Sequence, residues 1–121
     1  MSMQQFLGRW KRVSEAGLNF EVTENGKYKM TTRDPFGSEQ RLEFELDEPT
    51  YVGSGCIYTF TLLNNMLIVK YIQNDEDKGI LMHYFVKNDQ LHHVSGAPSS
   101  GKSPTVYERF TESNSSSCSI V

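Results

Sequence analysis

The chain has 121 residues, 37% of them hydrophobic and 22% charged, with a formal net charge of −3. That length makes one domain with a core of its own, without help from disulfides or metal. A net negative charge with no clustered basic stripe excludes a nucleic-acid-binding surface, and no apolar run is long enough for a helical membrane span.

The dominant hydrophobic period is two, which is the period of strands with one wet and one dry face. Ten strands are predicted, at about 6–14, 18–23, 27–33, 39–46, 49–53, 56–63, 66–73, 79–86, 90–95 and 103–110. The first carries Gly8-Arg9-Trp10-Lys11-Arg12-Val13, a Gly-x-Trp of the kind that seals the base of a small barrel. Apolar and polar residues alternate through Lys27–Thr32, Arg41–Leu46 and Tyr58–Leu62. Turn chemistry separates the runs at Glu24-Asn25-Gly26, Asp34-Pro35-Phe36-Gly37, Asn64-Asn65, Asn74–Asp77, Lys87-Asn88-Asp89 and Gly96–Gly101. The charged run Asp75-Glu76-Asp77-Lys78 reads as a solvated turn. The last strand, Thr105–Phe110, ends in Tyr107-Glu108-Arg109-Phe110.

Ten strands in a meander leave two long edges unless the sheet closes, so the fold class is all-β, an antiparallel up-and-down barrel. Residues 1–110 form this single domain, and the Ser-rich residues 111–121 are expected to be a flexible tail. Of the two cysteines, Cys56 falls in a strand and Cys118 in the tail, so both are expected as free thiols. Residues 1–5 lack the charged and apolar segments of a leader, and a cytoplasmic location is expected.

Three segments together resemble the intracellular fatty-acid-binding proteins and their retinoid-binding relatives, in the calycin superfamily. They are Phe6–Ser14, Phe36–Glu48 and Thr105–Phe110, in register along residues 6–110. The resemblance implies a flattened ten-stranded barrel enclosing a lipid, with the lipid's carboxylate held by inward polar side chains. Two departures accompany it. The family carries a helix-turn-helix lid between its first two strands, whereas here only Glu15, Ala16 and Gly17 separate the predicted strands, less than one helical turn. The family's clamp uses two arginines and a tyrosine. Alignment places His83 and Thr105 at the arginine positions, and only Tyr107 is kept. Thr cannot form the bidentate contact an Arg makes, and His holds an anion only when protonated.

Strand parity then proposes a lining. With Tyr107 inward, Thr105 and Arg109 follow it, Arg109 lying beside Trp10 at the base as a stacking partner. The family's facing turns His83 and His93 inward, with Tyr71, Tyr58 and Phe60 beside them and Met30 in the wall. Leu42, Phe44 and Leu46, with Trp10, fill the closed end. Apolar walls with a few convergent polar groups are the signature of a small-molecule site. A metal or haem site on His83 and His93 is disfavoured, because no Cys or acidic ligand stands near them at ligand spacing.

The expected function is binding or transport of a small hydrophobic ligand, a fatty acid, retinoid or similar lipid, through an unlidded mouth. The alternative is a non-enzymatic interaction module that uses the open rim. No catalytic residue, cofactor or metal is expected, since no nucleophile–base–orienter set or phosphate loop is present. Cys118-Ser119-Ile120-Val121 fits the Cys-a-a-X pattern, making Cys118 a candidate for prenylation. One lipid chain without an upstream polybasic run gives only weak, reversible membrane association. The oligomeric state expected is a monomer or weak dimer.

Overall fold

The computed structural model describes residues 3–11, 17–34 and 36–109. They form ten strands: β1 (Gly8–Lys11), β2 (Gly17–Val22), β3 (Tyr28–Arg33), β4 (Glu39–Phe44), β5 (Thr50–Gly53), β6 (Cys56–Leu63), β7 (Met66–Gln73), β8 (Glu76–Lys87), β9 (Gln90–Ser95) and β10 (Thr105–Arg109). Short 3₁₀ turns occupy Met3–Phe6 and Pro98–Ser100, and no α-helix occurs among the described residues. The strands run in the order β4-β3-β2-β1-β10-β9-β8-β7-β6-β5, every neighbouring pair antiparallel. β1 pairs with β10, which turns the meander into a nearly closed barrel whose ends, β4 and β5, face each other without a ladder. One bridge, Leu46 to Phe60, and the Asp47 N–H donating to the Phe60 carbonyl at 2.8 Å span that seam.

Tight turns set the register. Ser54-Gly55, Asn64-Asn65, Asn74-Asp75 and Asn88-Asp89 each have positive φ at both positions, the twist that a two-residue hairpin needs. Asn and Asp tolerate that conformation because their short polar side chains bond locally. With Asn74-Asp75 as the whole connection, β8 begins at Glu76. The run expected as a turn over Asp75–Lys78 therefore starts a strand, and register shifts lie between Val69 and Lys70 and between Tyr71 and Ile72 in the β7–β8 ladder.

In such a meander alternate connections share an end. The N-terminal turn and the β2–β3, β4–β5, β6–β7 and β8–β9 connections lie at the base; the β5–β6, β7–β8 and β9–β10 connections lie at the mouth. Base packing is aromatic. Phe6, Trp10, Phe44 and Phe60 are at most 2% exposed, and Phe44 stacks on Phe60 with ring centroids 3.9 Å apart. The Trp10 indole N–H donates to the Phe6 carbonyl at 2.9 Å, so the ring is buried without an orphan donor.

Arg109 closes this end. Its guanidinium lies 4.1 Å from the Trp10 ring centroid and donates to the Leu7 carbonyl at 3.0 Å, while Nε reaches Asp89 at 3.1 Å. Gly8, at φ +112°, makes room: a Cβ there would stand 2.9 Å from Arg109 Nη1. The stacking of Arg109 on Trp10 expected from parity is what the barrel uses. Residues 12–16 and 110–121 lie outside the described residues, and with them Cys118.

Candidate functional site

Register assigns each candidate residue to a face. Cross-strand pairs Thr105–His93, Tyr107–Leu91 and Tyr84–His93 share a face with the core residues Leu67, Val69 and Leu91. Thr105, Tyr107 and His93 therefore point into the barrel, and so do Tyr71, Tyr58, Phe60 and Met30 by the β7–β6 and β3–β2 ladders. Phe60 is fully buried at the base side, and Met30 is 7% exposed at the waist. Tyr58, Tyr71, His93, Thr105 and Tyr107 are half-buried; His93 and Thr105 share the rung of Tyr84, Tyr58 and Tyr71 lie toward the mouth, and Tyr107 is one rung nearer the base.

His83 departs from the expectation. It pairs with Ile68 on one side and Val94 on the other, the outward row of the sheet, and its Nδ1–H donates to the Gly96 carbonyl at 2.9 Å. The ring is 3% exposed, among outward neighbours that are themselves buried, Ile68 at 4% and Val94 at 6%. The position aligned with the clamp is thus a structural histidine outside the lumen. Its neighbour Tyr84 turns inward instead.

Tyr84 is the residue that the sequence reading missed. Its ring meets Phe20 of β2 edge-on at 5.7 Å, and its hydroxyl approaches Met30 Sδ of β3 at 3.8 Å. Since β8 and β3 stand on opposite walls, Tyr84 spans the barrel. The interior is therefore not hollow along its length: aromatics fill the base and Tyr84 crosses the waist. A signal did exist. A two-residue Asn88-Asp89 hairpin pairs position 84 with 93, so His83 and His93 cannot both face inward.

The floor has unusual polar chemistry. Tyr84 OH also lies 3.6 Å from Met82 Sδ, and His93 Nε2 is 3.3 Å from the same sulfur. The His93 and Tyr84 rings stack at 4.8 Å. Burial pushes the Tyr84 phenol well above its usual range, with smaller contributions from Tyr107 and Tyr58. Burial, then the nearby His83, lowers the His93 imidazole below 6.5. Tyr58 is likewise raised, by burial first and then by Cys56 and Tyr71. At neutral pH the lumen thus presents hydroxyls and an imidazole without charge.

A separate cleft of about 540 Å³ lies across β1–β4, reached by Arg9, Lys11, Asn19, Thr31, Arg33 and Glu39. Its lining combines charged side chains with the inward Trp10 and Leu18, and Glu39 is bonded by both Arg33 and Arg41.

This barrel matches solved structures along nearly its whole length. Fatty-acid-binding protein 1 of Echinococcus granulosus superposes with a TM-score of 0.66 at 16% identity, covering 90% of this chain and 100% of that one. The chain has the fold of a fatty-acid-binding protein. The fluorescent protein UnaG shares it, at a TM-score of 0.64, 13% identity and coverage of 90% and 100%. A single-site UnaG variant gives 0.67, 14% and coverage of 91% and 99%. No protein-family model and no curated protein matches the sequence. Relative to the family pattern that the sequence resembles, this fatty-acid-binding-protein fold keeps the strands and lacks α-helix among its described residues.

Proposed function

We propose that the protein binds a small hydrophobic ligand in the upper barrel, its polar group near Thr105 and His93. The observation that carries this reading is the change in lining along one interior. Below Tyr84 the inward side chains are mainly apolar, with Phe6, Trp10, Phe44 and Leu91 shut off from water. Level with it or above, Tyr58, Tyr71, His93 and Thr105 are half-buried toward an end with no described helix over it. Burial of an apolar chain against these walls contributes about 0.8 kcal/mol per methylene. The likeness in fold to a fatty-acid-binding protein supports the same class of ligand.

Native mass spectrometry of protein purified from its own cells tests the proposal. A co-purifying lipid, lost on Tyr71→Ala, is the expected result. A ligand-free spectrum together with no uptake of the apolar dye Nile red would overturn it.

One observation favours a second reading, contact of the rim with another surface. Phe36 is 95% exposed on the β3–β4 turn, and Asp34 Oδ1 fixes that turn by accepting the Phe36 and Ser38 N–H groups at 2.9 and 3.0 Å. Membrane tethering through prenylated Cys118 belongs to this reading. Labelling with a clickable prenyl analogue tests the tether: the label is expected on the wild-type chain and not on Cys118→Ser, and background labelling of both rules it out.

A further inference from the structure

The polar atoms at the floor of the lumen are paired with sulfur. Tyr84, 4% exposed, directs its hydroxyl at the Met82 and Met30 thioethers, and His93 Nε2 approaches Met82 Sδ. A thioether is a weak acceptor, so a buried phenol given to it recovers little of what it lost on leaving water. An oxygen arriving from above would be a stronger partner. Methionine is the side chain best suited to yield, because it is unbranched and can turn its sulfur from the phenol to the chain of a guest.

Charge is scarce among the described residues of this lumen. Among described residues whose register puts them on the inner face, the only cation is Arg109. It is committed at the base to Trp10, Asp89 and the Leu7 carbonyl. Lys78, in the β8 irregularity, is at the exposed strand end and paired with Glu76 at 2.8 Å. A carboxylate brought down to Tyr84 would shed its hydration without a counter-charge, which is far costlier than burying a neutral oxygen.

We infer that the ligand of this barrel is uncharged: an apolar chain carrying an ester, carbonyl or hydroxyl oxygen that takes the Tyr84 O–H, displacing the Met82 and Met30 thioethers onto its chain. The inference rests on the ligand-binding reading above and narrows it. It separates this lumen from one built to hold a fatty-acid anion, even though the fold is shared.

Methyl palmitate, palmityl alcohol and palmitate share one chain and differ at the head, so they serve as the test by displacement of Nile red at pH 8. The ester and alcohol are expected to bind about tenfold more tightly than palmitate, as one buried hydrogen bond and an uncompensated charge imply. Tyr84→Phe, which keeps the ring and so the fold, should weaken the ester and alcohol by about five- to tenfold and leave palmitate unchanged. Palmitate binding as tightly as the ester, or a Tyr84→Phe protein that loses nothing for the neutral ligands, overturns the inference while leaving a ligand-binding barrel. Failure of Nile red and all three lipids to bind overturns the parent reading and this one together.

Discussion

At the base, Phe6, Trp10, Phe44 and Phe60 are sealed from water and Arg109 is held by a ring face, a carboxylate and a main-chain carbonyl. Toward the mouth, Tyr58, Tyr71, His93 and Thr105 sit half-buried on the same strands or their neighbours, with hydroxyl and imidazole groups turned inward. One continuous sheet makes both. The difference is in which inward positions carry rings without polar atoms and which carry rings and side chains with them. Substitutions at the base should therefore register as lost stability, and those near the mouth as lost binding.

The largest effect should come from Trp10→Ala, which empties the centre of the base and is expected to cost about 3–5 kcal/mol, read as a lower urea midpoint. A cost below about 1 kcal/mol would show that the base does not anchor the barrel. Gly8→Ala should cost about 1–3 kcal/mol, because the new Cβ meets Arg109 Nη1 and φ is +112°. Part of that cost should vanish in an Arg109→Met background, where the clash is gone, and strict additivity would argue against the contact. Arg109→Met alone should cost about 1–2 kcal/mol, through unsatisfied main-chain carbonyls and a lost cation–π contact.

His93 gives a pH-dependent effect of intermediate size. Its folded-state pKa lies below the unfolded value, so above about pH 6.5 both states are neutral and the contribution is fully present. As pH falls below 6.5 the unfolded chain takes up the proton first, and stability declines until the folded imidazole also titrates. A urea series from pH 7.5 to 5 should show this decline in the wild type and a flatter profile in His93→Gln. Glu21 and Glu39, held low by their bonds to Lys29 and Arg33, act only below their ordinary 4.5 and so fall outside that window. The smallest stability change is expected near the mouth. Thr105→Val and Tyr71→Phe should move the urea midpoint by less than about 0.5 kcal/mol while weakening Nile red uptake. The reverse pattern would remove the division between the two ends.

Strand number, barrel closure and the Arg109–Trp10 pair were legible in the sequence, because strict alternation and Asn- or Gly-bearing turns punctuate most of the chain. β8 was harder. Ile80-Leu81-Met82-His83-Tyr84-Phe85-Val86 is nearly continuous in apolar and aromatic side chains, so alternation does not tell its faces apart. Alignment to a family clamp then chose the wrong parity for His83, although the two-residue Asn88-Asp89 turn already placed Tyr84 opposite His93. Thr105 and Tyr107 could be assigned because the family resemblance turned Tyr107 inward and strand parity carried Thr105 with it. The Tyr84–Met30 contact had no sequence signature at all, since it joins strands from opposite walls.

The cylinder is also missing one row of rungs. Nine of its joints are laced by main-chain ladders, while β4 and β5 share none and the bridge from Leu46 runs past β5 to Phe60 of β6. Residues 45–49 therefore carry the bonding across that line, through Leu46 and Asp47 to Phe60 and Thr61 of β6.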